Sequence, residues 1–137
     1  MNPLKSMITY ATGNAILVSL VAFLVYLTTL APSVTFIDSG ELAAVACTLG
    51  IAHPTGYPLF TLLSWAFSKL PIASEEIVRL NIMAAFFCAT GVFVFYRLVH
   101  FILSGVTRNQ GNKSKKKIDG LSGINVASSC AALLLAF

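Results

Sequence analysis

Asp38-Ser39-Gly40-Glu41 places two carboxylates three residues apart directly after a long apolar run, and His53-Pro54-Thr55-Gly56-Tyr57-Pro58 begins twelve residues after Glu41. Ionisable groups beside a bilayer are costly enough to suggest a function. Asp38 suits a general base that removes a proton from an acceptor hydroxyl, since partial desolvation next to lipid would raise its basicity toward a useful range. Glu41, one helical turn on, could orient a substrate or help hold a divalent cation. A plainer reading also fits. Asp-x-x-Glu before a helix is the capping-box pattern, with Asp38 capping the helix and Glu41 reaching back to the Asp38 backbone N–H. The two readings are compatible, because a cap holds a carboxylate still.

Composition decides where these residues sit. The 137 residues are 57% hydrophobic and 10% charged, with mean hydropathy +0.84, whereas about a quarter of a soluble domain is charged. An all-α integral membrane protein is implied, with room for about three spans of about 20 residues and no separate soluble domain. The net charge of +4 does not point to nucleic acid. Four of the nine basic residues lie in Lys113-Ser114-Lys115-Lys116-Lys117, and the positive-inside rule accounts for such a run between apolar segments. Cys47, Cys88 and Cys130 are far apart in apolar surroundings and form no metal-binding spacing.

Residues 1–12 read as a cytoplasmic arm carrying Lys5, and 13–31 as the first transmembrane helix, whose 19 residues would reach about 28 Å. A cleaved leader is the alternative, but the run exceeds a normal leader core, and Pro32 stands where cleavage would fall. Residues 32–74 form an outer-face loop. Val34 to Ile37 is β-branched or aromatic and extended, and short juxtamembrane helices follow at 39–50 and 59–70. The stripe Leu42, Val45, Ala46 and Leu49 marks the first of these and Gly50 its stop; Pro71 ends the second. Parity keeps 59–70 on the outer side. If it crossed, the next long helix would carry the lysine cluster outward, and at about 18 Å it is too short to span.

Ser74 as N-cap, with Glu75 and Glu76 in the first turn, opens the second transmembrane helix, 75–104, where the helix dipole favours acids. Arg79 and Arg97 bracket its uncharged stretch and can snorkel to opposite interfaces, and Tyr96, Arg97 and His100 form an inner interfacial belt. Residues 105–120 read as a basic cytoplasmic loop and 121–137 as a third transmembrane helix. That helix is still apolar at Phe137, as the opening part of a longer protein would be.

The combination Pro-Ser-Val-Thr-Phe-Ile-Asp-Ser-Gly-Glu-Leu, Gly-Ile-Ala-His-Pro-Thr-Gly-Tyr-Pro-Leu-Phe and Arg79-Leu80-Asn81, over about Leu30 to Ala85, resembles the N-terminal part of a family of GT-C membrane glycosyltransferases. The eukaryotic members are protein O-mannosyltransferases. The resemblance implies a GT-C-like segment of a larger enzyme that moves a sugar, mannose, with inversion from a polyprenyl-phosphate donor to a hydroxyl of a protein or glycan acceptor. Asp38 maps onto the catalytic base of the first external loop, with Glu41 beside it. His53 and Tyr57 would line the substrate site, and Arg79 could face the donor phosphate, which guanidinium suits. Ile37 stands where the family usually has an aromatic residue and Thr55 where it often has Pro, which weakens the case for sugar stacking near Asp38. The family's chains are several times longer, so these 137 residues alone are expected to be inactive. The alternatives are a small non-catalytic membrane scaffold, in which Asp38 and Glu41 only cap a helix, and a transporter piece in which 59–70 is a broken half-helix.

Overall fold

The computed structural model describes residues 3–35, 38–54, 56–110 and 117–137. Five α-helices and no strands occur among them: α1 Pro3–Thr28, α2 Ser39–Thr48, α3 Pro58–Ser68, α4 Glu76–Gln110 and α5 Lys117–Ala136. Two stretches are long and apolar enough to cross a membrane, Thr9–Thr28 and Glu76–Thr107, and only 22% and 28% of their apolar windows are buried. That exposure separates them from the core helices of a soluble protein. The apolar part of α5, Ser122–Ala136, is shorter than a span.

Several helix ends differ from the sequence reading, each for a local reason. The expected arm is helical from Pro3, since proline's fixed φ suits a first turn and no breaker follows. α4 starts at Glu76 and runs past the expected end at Ser104 to Gln110, because an isolated glycine such as Gly105 costs a helix only about 1 kcal/mol. α2 stops at Thr48, and the left-handed residue that ends it is Leu49 (φ 54°), not Gly50. The Gly50 N–H then bonds to Val45 O at 3.1 Å, and a Cβ on Gly50 would lie 3.3 Å from Thr48 Oγ1. The side chains of Lys5 and the lysine cluster, the ends of the extended segment at Phe36 and Ile37, and Thr55 lie outside the described residues.

The chain divides into two compact units. In the unit made of the chain up to Val25 and from Cys88 on, the buried residues include Ala11, Ala15, Ala22, Ala89, Tyr96, Ser128 and Ala132. Ile16, Leu17, Leu20, Val94, Leu98 and Phe101 are exposed. Small and polar residues inside, large apolar ones outside, is the polarity of helices that pack against each other within lipid. Polar bonds join the helices: Arg97 Nη1 donates to Thr12 Oγ1, and Tyr96 Oη to Asn125 Oδ1 at 3.4 Å.

The unit Tyr26–Phe87 holds the carboxylates. Here α2 and α3 pack together, and α3 repeats the inverted polarity. Thr61, Ser64 and Ser68 are buried while Leu59, Leu62 and Trp65 are exposed, and Lys69 Nζ lies 6.0 Å from the Trp65 ring centroid, as in an interfacial anchor. Ser64→Leu is therefore expected to destabilise the detergent-solubilised protein by roughly 1–3 kcal/mol through overpacking. Leu62→Ser, on the exposed face, should leave the thermal midpoint nearly unchanged. The cysteines are free; burial first, and then the Glu76 carboxylate, push the Cys47 thiol up, which makes it a poor nucleophile.

Candidate active site

The segment leading to Asp38 is tethered at both ends. Asn81 Nδ2 donates to Ala31 O at 2.9 Å across 50 residues, and the Thr35 N–H donates to Ser39 Oγ at 3.2 Å. Asp38 O accepts the first helical bond of α2 from the Leu42 N–H, 2.9 Å. The Asp38 side chain makes no capping bond, because its backbone is already near-helical (φ −86°, ψ −2°), whereas a capping residue needs non-helical geometry to fold its oxygen over the helix end. Its carboxylate stays at the surface.

Glu41 departs from the capping box as well. Instead of reaching back to Asp38, its Oε1 accepts the His53 backbone N–H at 2.7 Å, and its Oε2 lies 3.1 Å from His53 Nδ1. An ionised carboxylate can only accept, so Nδ1 is the donor. A pair of bonds from a residue twelve positions on outcompetes one bond to a local backbone N–H. The left-handed Leu49 turns the chain back after α2, and Gly56 N–H donates to His53 O at 2.9 Å, closing a turn with Pro54 in it. Gly56 (φ 66°) and Tyr57 (φ 39°) are consecutive left-handed residues, and Pro58 then opens α3 in its first turn. A left-handed non-glycine residue costs about 1–2 kcal/mol. At Tyr57 it sets the ring edge-on to His53, centroids 5.6 Å apart at 75°.

Of the five site residues expected from sequence, four are thus gathered. Single oxygen or nitrogen atoms of Asp38, Glu41 and His53 all lie within 4.8 Å of one another, and Tyr57 stands against His53. Arg79 is engaged elsewhere. Its Nε donates to Ala73 O at 2.8 Å, Nη2 to Ser74 O at 2.9 Å and Nη1 to Ser68 O, so three of its five N–H groups close the turn between α3 and α4. Asn81 and Ser39 are the positioning residues that local pattern did not single out, since their partners depend on how the loop folds. Asp38, Glu41 and His53 could each offer a divalent cation one atom; the Glu41 oxygens already accept from His53, so a cation there would use their second lone pairs.

The His53 backbone N–H, then its ring N–H, hold the Glu41 carboxyl below the usual carboxylate range, against a smaller opposing effect of burial. A lowered folded value means that the contact contributes fully above the ordinary glutamate range and is lost as pH falls through the lowered value. The thermal midpoints of wild type and Glu41→Gln are accordingly expected to remain apart down to the ordinary glutamate range. They should converge only in stronger acid.

Fold and site together define a class: an all-helical protein with membrane-length helices, inverted packing polarity and an Asp–Glu–His cluster in the loop after the first of them. Within that class, the chain belongs to the family described as the Protein O-mannosyl-transferase TMEM260 N-terminal domain, which matches residues 38–137. It is 45% identical over 69 residues to "Protein O-mannosyl-transferase TMEM260" of Mus musculus, a stretch covering 50% of this chain and 10% of that protein. It is 51% identical over 47 residues to the Dictyostelium discoideum protein of the same name, covering 34% of this chain and 6% of that protein. The stretches matched are thus a tenth or less of these relatives. No solved structure matches the chain.

Proposed function

We propose that this chain is the N-terminal, base-bearing part of a GT-C membrane glycosyltransferase that moves mannose from a polyprenyl-phosphate donor to an acceptor hydroxyl. The relatives named as protein O-mannosyl-transferases support the transfer. The observation that carries the assignment is the state of Asp38. It opens the family match, it is exposed, it is not used as a helix cap, and it lies beside Glu41 and His53.

In the reaction, an Asp38 oxygen accepts the proton of the acceptor hydroxyl as that oxygen attacks the anomeric carbon. The bond from that carbon to the phosphate oxygen breaks, and the polyprenyl phosphate leaves with the electron pair. One displacement inverts the anomeric centre. Arg79 keeps a structural part, holding the α3–α4 turn. Parity puts the loop on the periplasmic, extracellular or luminal side of a multi-pass protein with a cytoplasmic N-terminus, in which α5 is the opening part of a third span. There an exported protein or glycan and a lipid-borne donor can meet.

The test is a donor comparison with the full-length protein in detergent. Mannose supplied on a polyprenyl phosphate should reach a hydroxyl-bearing acceptor, while mannose supplied on a nucleotide should not. Transfer from the nucleotide alone would overturn the donor assignment. A cysteine placed at Ile72, labelled by an impermeant reagent from the cytoplasmic side only, would overturn the topology and favour the transporter reading.

A further inference from the structure

Glu41 and His53 are twelve residues apart, yet both oxygens of the one meet N–H groups of the other. Three contacts hold His53: its backbone N–H and Nδ1 on Glu41, and the edge-on contact of its ring with that of Tyr57, whose left-handed backbone aims the ring there. The Glu41 side chain is 43% exposed and that of His53 37%, so neither is buried for packing alone. A ring whose Nδ1 carries the proton keeps a lone pair on Nε2 when neutral. Orienting a histidine by a carboxylate on its far nitrogen is how such a ring is held in one tautomer.

We propose that Glu41 is a positioning residue that acts through His53, holding it in the Nδ1–H form so that Nε2 accepts a hydrogen bond from a hydroxyl group of the substrate. This rests on the glycosyltransferase reading above for the identity of that hydroxyl, whether on the sugar or on the acceptor, and it takes Glu41 out of the group that touches the reacting atoms. Asp38 remains the base. Tyr57 is the ring's second support.

Two readouts test it on the full-length protein. In a mutant cycle, Glu41→Ala and His53→Ala should each lower kcat/KM by about 10- to 100-fold, the size of a lost charge-assisted positioning bond. Glu41→Ala should add almost nothing in the His53→Ala background. Losses that multiply would mean that Glu41 contacts substrate directly and would overturn the proposal. Selective ¹⁵N-histidine labelling, with the His53 signals assigned by their absence in His53→Gln, reads the ring itself. Wild type should show a protonated Nδ1 and an unprotonated Nε2 at a pH where the ring is neutral, and Glu41→Ala should lose that preference. An unchanged pattern in Glu41→Ala, or a protonated Nε2 in the wild-type neutral ring, overturns it. Should wild type transfer no sugar from any donor, the hydroxyl partner falls with the glycosyltransferase reading, while the ring signature still decides for or against the Glu41 clasp.

Discussion

Asp38→Asn in the full-length protein is expected to lower sugar transfer by about 10²- to 10⁴-fold, the range for loss of a positioned general base, with insertion and thermal midpoint unchanged. The asparagine is nearly isosteric and cannot take up the hydroxyl proton. Because the Asp38 side chain makes no capping bond, the substitution removes no hydrogen bond from α2, and the first helical bond comes from the main-chain oxygen of residue 38. The capping role is tested by Asp38→Ala, which does remove the oxygen and would cost about 0.5–2 kcal/mol of stability if Asp38 capped α2. Radiolabel transfer and a melting curve on the same preparation separate these outcomes. Activity that survives in Asp38→Asn would remove the base assignment and favour a non-catalytic scaffold.

Arg79→Ala is expected to destabilise the protein by roughly 2–4 kcal/mol. The side chain donates to Ser68 O, Ala73 O and Ser74 O, and hydrogen bonds to a charged group contribute roughly 1.5–3 kcal/mol each when well buried; only two of the three are part-buried and the third is exposed, which brings the total below the simple sum. Ser68 is the last residue of α3, so its carbonyl is one of the unpaired groups that every helix leaves at its C-terminus. Arg79→Lys should recover only part of the loss, since one ammonium cannot reach three diverging acceptors in the way the planar guanidinium does. The measurement is denaturant unfolding of the detergent-solubilised protein. A fall in mannose transfer with no fall in stability would instead return Arg79 to the donor phosphate, the role its residue type suggested.

The elements were largely legible because they are written in local pattern. Hydropathy and length located α1 and α4, and Pro71 and the apolar stripe of Leu42, Val45 and Ala46 located the short helices, although α3 runs from Pro58 to Ser68 where the pattern placed it at 59–70. What pattern could not supply was partnership across the loop. Asp-x-x-Glu is a capping box on local spacing alone, and only the return of the chain at Leu49 reveals that Glu41 has a better partner in His53. Arg79 is read from sequence as a cation available to phosphate, yet the turn closing α3 leaves three carbonyls in its reach. Asn81 is one amide in an apolar helix until its bond to Ala31, 50 residues earlier, is seen. Local rules also placed helix ends too strictly, as at Gly13 and Gly105, both of which lie inside their helices.

The most direct test of the central claim is the anomeric configuration of the mannose that the full-length protein transfers from a polyprenyl-phosphate donor of known configuration, read by NMR of the product. A single displacement assisted by Asp38 predicts the opposite anomer to that of the donor. The same anomer would require a covalent or double-displacement route and would contradict the account.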